Sequence, residues 1–169
     1  KAADPTCKVI GGLGIQAELP LGDQFISAGG LNYVDYYNLH PYQGSNPPEF
    51  FISHMQRILS AMDSNGGRKP IWATEQSYFT LEDPSWTPMY TTGDISGHLA
   101  DEKQVADWQT RFAAIMFAHN VEKLFFHYAD TGEVNNSYWI QANAFWQWQY
   151  GPTKVYTALA AMANMLGPS

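Results

Sequence analysis

The chain has 169 residues, 45% of them hydrophobic, 15% aromatic and 15% charged, which supplies a sizeable core and excludes a disordered or collagen-like chain. Nine Lys+Arg against sixteen Asp+Glu give a net charge of -7 with no basic block, so the electrostatic footprint of a nucleic-acid or anionic-lipid binder is missing. The single cysteine, Cys7, excludes an intrachain disulfide and zinc sites built on two thiolates, and no apolar run approaches the roughly 18 residues of a membrane span.

Four β-like runs alternate with longer helical patterns. Cys7-Lys8-Val9-Ile10-Gly11 reads as the first strand, and residues 23–28 as a short helix bracketed by Pro20, Gly22, Gly29 and Gly30. Tyr33-Val34-Asp35-Tyr36-Tyr37-Asn38-Leu39 is the second strand. Asn46-Pro47-Pro48-Glu49 then predicts a helix start, and Phe51, Met55, Ile58 and Met62 form its apolar stripe up to Asn65-Gly66-Gly67. Pro70-Ile71-Trp72-Ala73-Thr74-Glu75 is the third strand, followed by an excursion over residues 79–100. Asp101-x-x-Gln104 opens a helix with Val105, Trp108, Phe112 and Ile115 on one stripe, running to Asn120. Lys123-Leu124-Phe125-Phe126-His127-Tyr128 is the fourth strand, residues 131–150 are a second excursion, and a last helix begins near Gly151-Pro152 with Val155, Leu159, Met162 and Leu166 buried. Alternating strands and helices with apolar strands imply an α/β fold, a parallel sheet covered by helices, whose ligands bind at the carboxyl ends of the strands.

Three kinds of chemistry compete for those strand ends. Gly12-Leu13-Gly14-Ile15-Gln16-Ala17 fits a dinucleotide fingerprint with Asp35 as the ribose acid, but Pro20 and Gly22 interrupt the helix that motif needs. Hydrolysis through a Ser-His-Asp triad or a metal lacks both G-x-S-x-G and H-E-x-x-H, and the five histidines show no ligand spacing within one element. Glycoside hydrolysis fits best, because Glu75 ends an apolar strand while His40 and Tyr42 end the preceding one, aiming a carboxylate and its partners at one mouth.

These residues resemble a family. Asn38-Leu39-His40-Pro41-Tyr42, Lys69-Pro70-Ile71-Trp72-Ala73-Thr74-Glu75, the helix opening Asp101-Glu102-Lys103-Gln104-Val105-Ala106-Asp107, and Pro152-Thr153-Lys154-Val155-Tyr156-Thr157-Ala158-Leu159 look like the last four βα units of the clan of retaining (β/α)8-barrel glycoside hydrolases. The resemblance implies the C-terminal half of a TIM barrel, its strands five to eight, with residues 1–169 as one domain. It makes Glu75 the nucleophile, Tyr42 the aromatic that holds it, and His40 a wall of the sugar subsite. His127, in Phe126-His127-Tyr128, stands where members of the clan carry a Trp, and Tyr78, Trp86, Trp139 and Trp146 are candidates to stack on sugar rings. No metal or cofactor is implied.

The clan's acid/base is a Glu preceded by Asn, and no Asn-Glu pair occurs in this sequence. A whole barrel takes about 250 residues, so the N-terminal half, as another chain or a missing segment, is the expected partner beside a carbohydrate substrate. Glu18, Glu82, Asp83, Asp94, Asp130 and Glu133 are the other candidate acids, with Asp130 and Glu133 nearest the mouth. The rival class is a non-catalytic carbohydrate-binding or scaffold protein that keeps the mouth without the second carboxylate. An extracellular location is favoured; on export a signal would already have been removed, and the sequon Asn135-Asn136-Ser137 matters only in a source that glycosylates exported proteins.

Overall fold

The computed structural model describes residues 3–12, 20–80, 98–99, 101–127, 146–147 and 151–167. Its elements are β1 (Ile10–Gly11), α1 (Pro20–Ser27), β2 (Tyr36–Leu39), α2 (Phe51–Ser64), β3 (Ile71–Gln76), β4 (Phe79–Thr80), β5 (His98–Leu99), α3 (Glu102–Ala118), β6 (Val121–Phe126), β7 (Trp146–Gln147), β8 (Gly151–Pro152) and α4 (Lys154–Leu166). The principal sheet is parallel, in the order β1-β2-β3-β6, and the strands alternate with helices as an α/β fold requires. Two further short pairs form, β4 with β5, parallel, and β7 with β8, antiparallel.

The contacts divide into two compact units. The first comprises Lys1–Tyr42, Phe50–Gln76 and Ile115–Phe125, and holds the sheet. In it Tyr37 faces Ile71 and Leu39 faces Ala73 across the β2–β3 ladder, and all four are buried. Asn38 faces Trp72 on the opposite side, where residues are only half-buried. A two-residue period therefore separates a dry face from a face that carries Tyr36, Asn38, Trp72 and Thr74. On α2, Phe51, Met55, Ile58, Leu59 and Met62 are buried, the predicted stripe with Leu59 added. Arg57 on α2 donates to Asp23 on α1 at 2.6 Å. Tyr37 lies beside that pair, and its phenol is pushed up to about 12, first by burial, then by Asp23, against the opposing influence of Arg57.

The second unit comprises Gln43–Glu49, Ser77–Ala114 and Phe126–Ser169. Tyr78 anchors its core, 1% exposed, with edge-on contacts to Trp108 and Phe112 at 5.6 and 5.9 Å. Its hydroxyl donates to the Asn46 carbonyl, and its amide donates to the side chain of buried Gln109. Arg111 pairs with Glu49 and holds that carboxyl below its usual range.

Boundaries differ from the sequence reading where local chemistry intervenes. Asn46 does not cap α2. Pro48–Phe50 forms a 3-10 turn first, because consecutive prolines lack amide donors and restrict the residue before them. Residues 33–35 are not strand: Gly30–Tyr33 is a 3-10 turn, and Asp35 engages Val9 twice, its amide donating to the Val9 carbonyl and its carboxylate accepting the Val9 amide, each at 2.8 Å. Asp35 is thus engaged with the Val9 backbone at the entry to the sheet rather than placed at a strand end for a ribose, and residues 13–19 of the fingerprint lie outside the described residues. Asn120, at φ 73°, ends the turn after α3, and β6 starts directly at Val121, two residues earlier than expected. Gly151-Pro152 is strand rather than helix, and α4 starts after Thr153, whose hydroxyl accepts the Tyr156 amide as an N-cap; of its expected buried stripe only Val155 is buried, with Leu159 and Met162 half-buried and Leu166 exposed.

At the end of β1, Gly12 has φ 140°, and a Cβ there would lie 2.9 Å from the Asn38 carbonyl oxygen and 3.1 Å from its amide nitrogen. Backbone replaces side chain at this contact, which explains the glycine without any phosphate. Gly12→Ala is expected to destabilise the full-length protein by at least about 1 kcal/mol in denaturant titration, since both conformation and space oppose a side chain; an unchanged midpoint would refute the close approach.

Candidate functional site

β2 and β3 end side by side in parallel, so the residues after Leu39 and those after Ala73 share one edge of the sheet. Along β3 burial runs Ile71, Ala73 and then Gln76. The strict alternation breaks at Thr74-Glu75, and both side chains there are half-buried. After Leu39 the chain turns tightly: the Tyr42 amide donates to the His40 carbonyl at 2.9 Å around buried Pro41, whose ring fixes the bend. His40 and Tyr42 are thereby set at the end of β2, beside the end of β3.

His40 is the hub of this edge. Its Nδ1 lies 2.9 Å from Glu75 Oε2, with the two side chains 24% and 29% exposed, sheltered but open to solvent on one side. Its Nε2 lies 3.0 Å from Thr74 Oγ1, and the Thr74 hydroxyl donates to Asn38 Oδ1 at 2.5 Å. One hydrogen-bonded chain thus runs from the Asn38 amide through Thr74 and His40 to the Glu75 carboxyl. Asn38 and Thr74 are residues that sequence reasoning left without a role. The available signal was their polarity at positions that the strand period points away from the dry face.

Glu75 also differs from the other described carboxylates. Asp23, Asp63, Asp107 and Glu49 are paired with Arg57, Arg68, Lys103 and Arg111, and Asp63 is held below its usual range by its bonds to Arg68. Asp101 accepts the Gln104 amide at the start of α3, and Glu102 accepts that of Lys154. Among the described residues, Glu75 is the carboxylate that stands at the carboxyl end of a sheet strand next to a histidine. A half-open carboxylate held by an imidazole can act as nucleophile, as base or as a partner of substrate hydroxyls.

The remaining predicted positions divide three ways. Tyr78 is a core residue of the second unit, so its ring is committed to Trp108 and Phe112 and presents no open face for stacking. His127 is half-buried just beyond β6, its carbonyl accepting the Ser77 hydroxyl at 3.0 Å. Trp146 contributes backbone to β7, paired with Pro152. Trp86 and Trp139, like Glu18, Glu82, Asp83, Asp94, Asp130 and Glu133, lie outside the described residues.

The chain is similar to a family 39 glycoside hydrolase from Bacteroides cellulosilyticus, with a TM-score of 0.71 and 16% identity, over 98% of this chain and 35% of that one. Glycoside hydrolases share this fold. A family 2 β-galacturonidase from Eisenbergiella tayi aligns with a TM-score of 0.68 and 13% identity over 99% of this chain and 28% of its own. A family 128 endo-β-1,3-glucanase from Amycolatopsis mediterranei gives 0.55 and 17% over 89% and 56%. No protein-family model and no curated protein matches the chain. The four strands and their helices correspond to part of a TIM-barrel-type fold, and the chain spans about a third or less of the first two neighbours and about half of the third.

Proposed function

We propose that the protein is a glycoside hydrolase that cleaves glycosidic bonds of an oligosaccharide or polysaccharide by retaining double displacement, with Glu75 as nucleophile. The observation that carries this reading is the half-open Glu75 carboxyl at the carboxyl end of β3, bonded to His40 from the neighbouring strand, on a fold shared with glycosidases. In the first step a Glu75 oxygen bonds to the anomeric carbon as the glycosidic C–O bond breaks, and the departing oxygen takes a proton from a separate acid. In the second step water, deprotonated by that same group, displaces Glu75 from the glycosyl ester and restores the carboxylate. Tyr42, set beside His40 by the Pro41 turn, is the residue assigned to hold Glu75 through its hydroxyl. No cofactor or metal is required by these steps.

The acid/base is assigned to the N-terminal half of a barrel, supplied by another chain or another segment, with residues 1–169 forming the C-terminal half of one catalytic domain. Two features support this assignment. Among the described residues, β1 and β6 are the outer strands of the sheet, each with one neighbour. An apolar side chain of the outer strand β6 is also left open, Phe125 at 44% exposure. A closed barrel pairs such edges and fills its interior with side chains.

In the full-length protein, Glu75→Gln is expected to lower turnover of aryl glycosides by several orders of magnitude while the melting transition stays within a few degrees, and a fluorosugar inactivator is expected to label Glu75. Labelling elsewhere, or near-normal turnover, rejects the nucleophile; sugar binding by a protein that turns over no glycoside favours the non-catalytic alternative. Tyr42→Phe is expected to cost far less, about 1 to 3 kcal/mol of transition-state stabilisation for one charge-assisted hydrogen bond, read from kcat/KM. The 169-residue chain expressed by itself is expected to self-associate and to leave aryl glycosides with poor leaving groups intact, because these need protonation at departure. A monodisperse monomer that hydrolyses them would overturn the half-barrel assignment.

A further inference from the structure

The proton inventory of the hydrogen-bonded chain at the end of β2 and β3 carries a consequence for His40. A threonine hydroxyl has one hydrogen, and that of Thr74 is given to Asn38 Oδ1 at 2.5 Å. Thr74 Oγ1 can then only accept from the imidazole nitrogen 3.0 Å away, so Nε2 of His40 carries a hydrogen. The other ring nitrogen, Nδ1, faces Glu75 Oε2 at 2.9 Å. With Nε2 already protonated, that contact is a hydrogen bond only if one further proton lies between Nδ1 and Oε2, on the ring as imidazolium or on the carboxyl. A neutral ring facing an ionised carboxylate would set two lone pairs against each other.

We propose that Asn38 and Thr74 are positioning residues that fix His40 with its hydrogen on Nε2, so that the His40–Glu75 pair carries one shared proton. The kinetic consequence rests on Glu75 being the nucleophile; the tautomer does not. A carboxylate attacks only when ionised, so in the reactive form the shared proton sits on Nδ1 and His40 is the cation beside the nucleophile. The proton is not transferred. When the glycosyl ester forms, Glu75 loses its charge, and when water cleaves the ester the carboxylate leaves toward the cation that Thr74 and Asn38 have kept aimed at it. The chain Asn38–Thr74–His40 thus acts on the reaction through the orientation and charge of one ring, as a histidine's second nitrogen sets the work of the first.

The test reads the ring directly. In full-length protein with isotope-labelled histidine nitrogens, the resonances of His40, assigned by their loss in His40→Asn, are expected to show a protonated Nε2 under all conditions in which the protein is folded. A bare Nε2 with the hydrogen on Nδ1 overturns the proposal, whatever the catalytic outcome. Thr74→Ser keeps the hydroxyl and is expected to keep both the protonated Nε2 and the parental kcat. Thr74→Val is nearly isosteric but removes the acceptor, and is expected to release the ring to an Nδ1–H form and to lower kcat about tenfold, the loss of one hydrogen bond's worth of orientation. Asn38→Asp, an obligate acceptor, is expected to leave the tautomer unchanged, and its loss there counts against the chain. If Thr74→Val fails to fold, the parental resonances and the Ser and Asp variants still decide the matter. A protonated Nε2 in a protein whose Glu75 resists labelling would uphold the chain and reject the nucleophile.

Discussion

The parallel register of β2 on β3 is the constraint on which the rest depends. Tyr37 opposite Ile71 and Leu39 opposite Ala73 place four buried side chains on one face, and burial of each large apolar side chain is worth about 1.5 to 3 kcal/mol. A one-residue slip of β2 would bury Asn38 and expose Tyr37 and Leu39, so the hydrophobic pattern specifies the register. The same register brings Asn38, Thr74, His40 and Glu75 within reach of one another. Site geometry is therefore a by-product of core packing, and needs no flexible loop to create it.

Electrostatics divide along the same line. The ion pairs of Asp63 with Arg68, Asp107 with Lys103 and Glu49 with Arg111 are exposed, screened by water, and contribute little to stability. Their effect is to neutralise carboxylates away from the strand ends. Glu75 is treated differently: it meets a histidine, whose charge depends on its protonation, rather than a permanent guanidinium.

The half-open face of the sheet carries an aromatic ladder. Tyr36 and Trp72 lie 4.5 Å apart, Phe125 is 6.0 Å from Trp72, and the Lys123 ammonium sits 4.2 Å from the Trp72 ring centre. The Trp72 indole N–H lies 3.5 Å from Glu122 Oε2, so its polar tip is met while its ring faces are covered.

Much of the fold was legible in residue order, because it depends on local periodicity. The stripe Phe51, Met55, Ile58 and Met62 and the apolar strands ending at Leu39 and Glu75 required only 3.6- and 2-residue patterns, and the parallel α/β class came from their alternation. Strand and helix ends were less legible. The Asp35 backbone and carboxylate both taken up by Val9, the 3-10 turn of Pro48–Phe50 and the left-handed Asn120 are decided by contacts between segments and by backbone strain. At the site, the sequence alone placed Glu75, His40 and Tyr42 at adjacent strand ends, and assigned Tyr78 to sugar stacking, where packing instead commits it to Trp108 and Phe112. Only tertiary structure joined Asn38 to Thr74 and both to His40, across 36 and 34 residues of chain, because hydrogen-bond direction depends on which atoms meet and no periodicity records that.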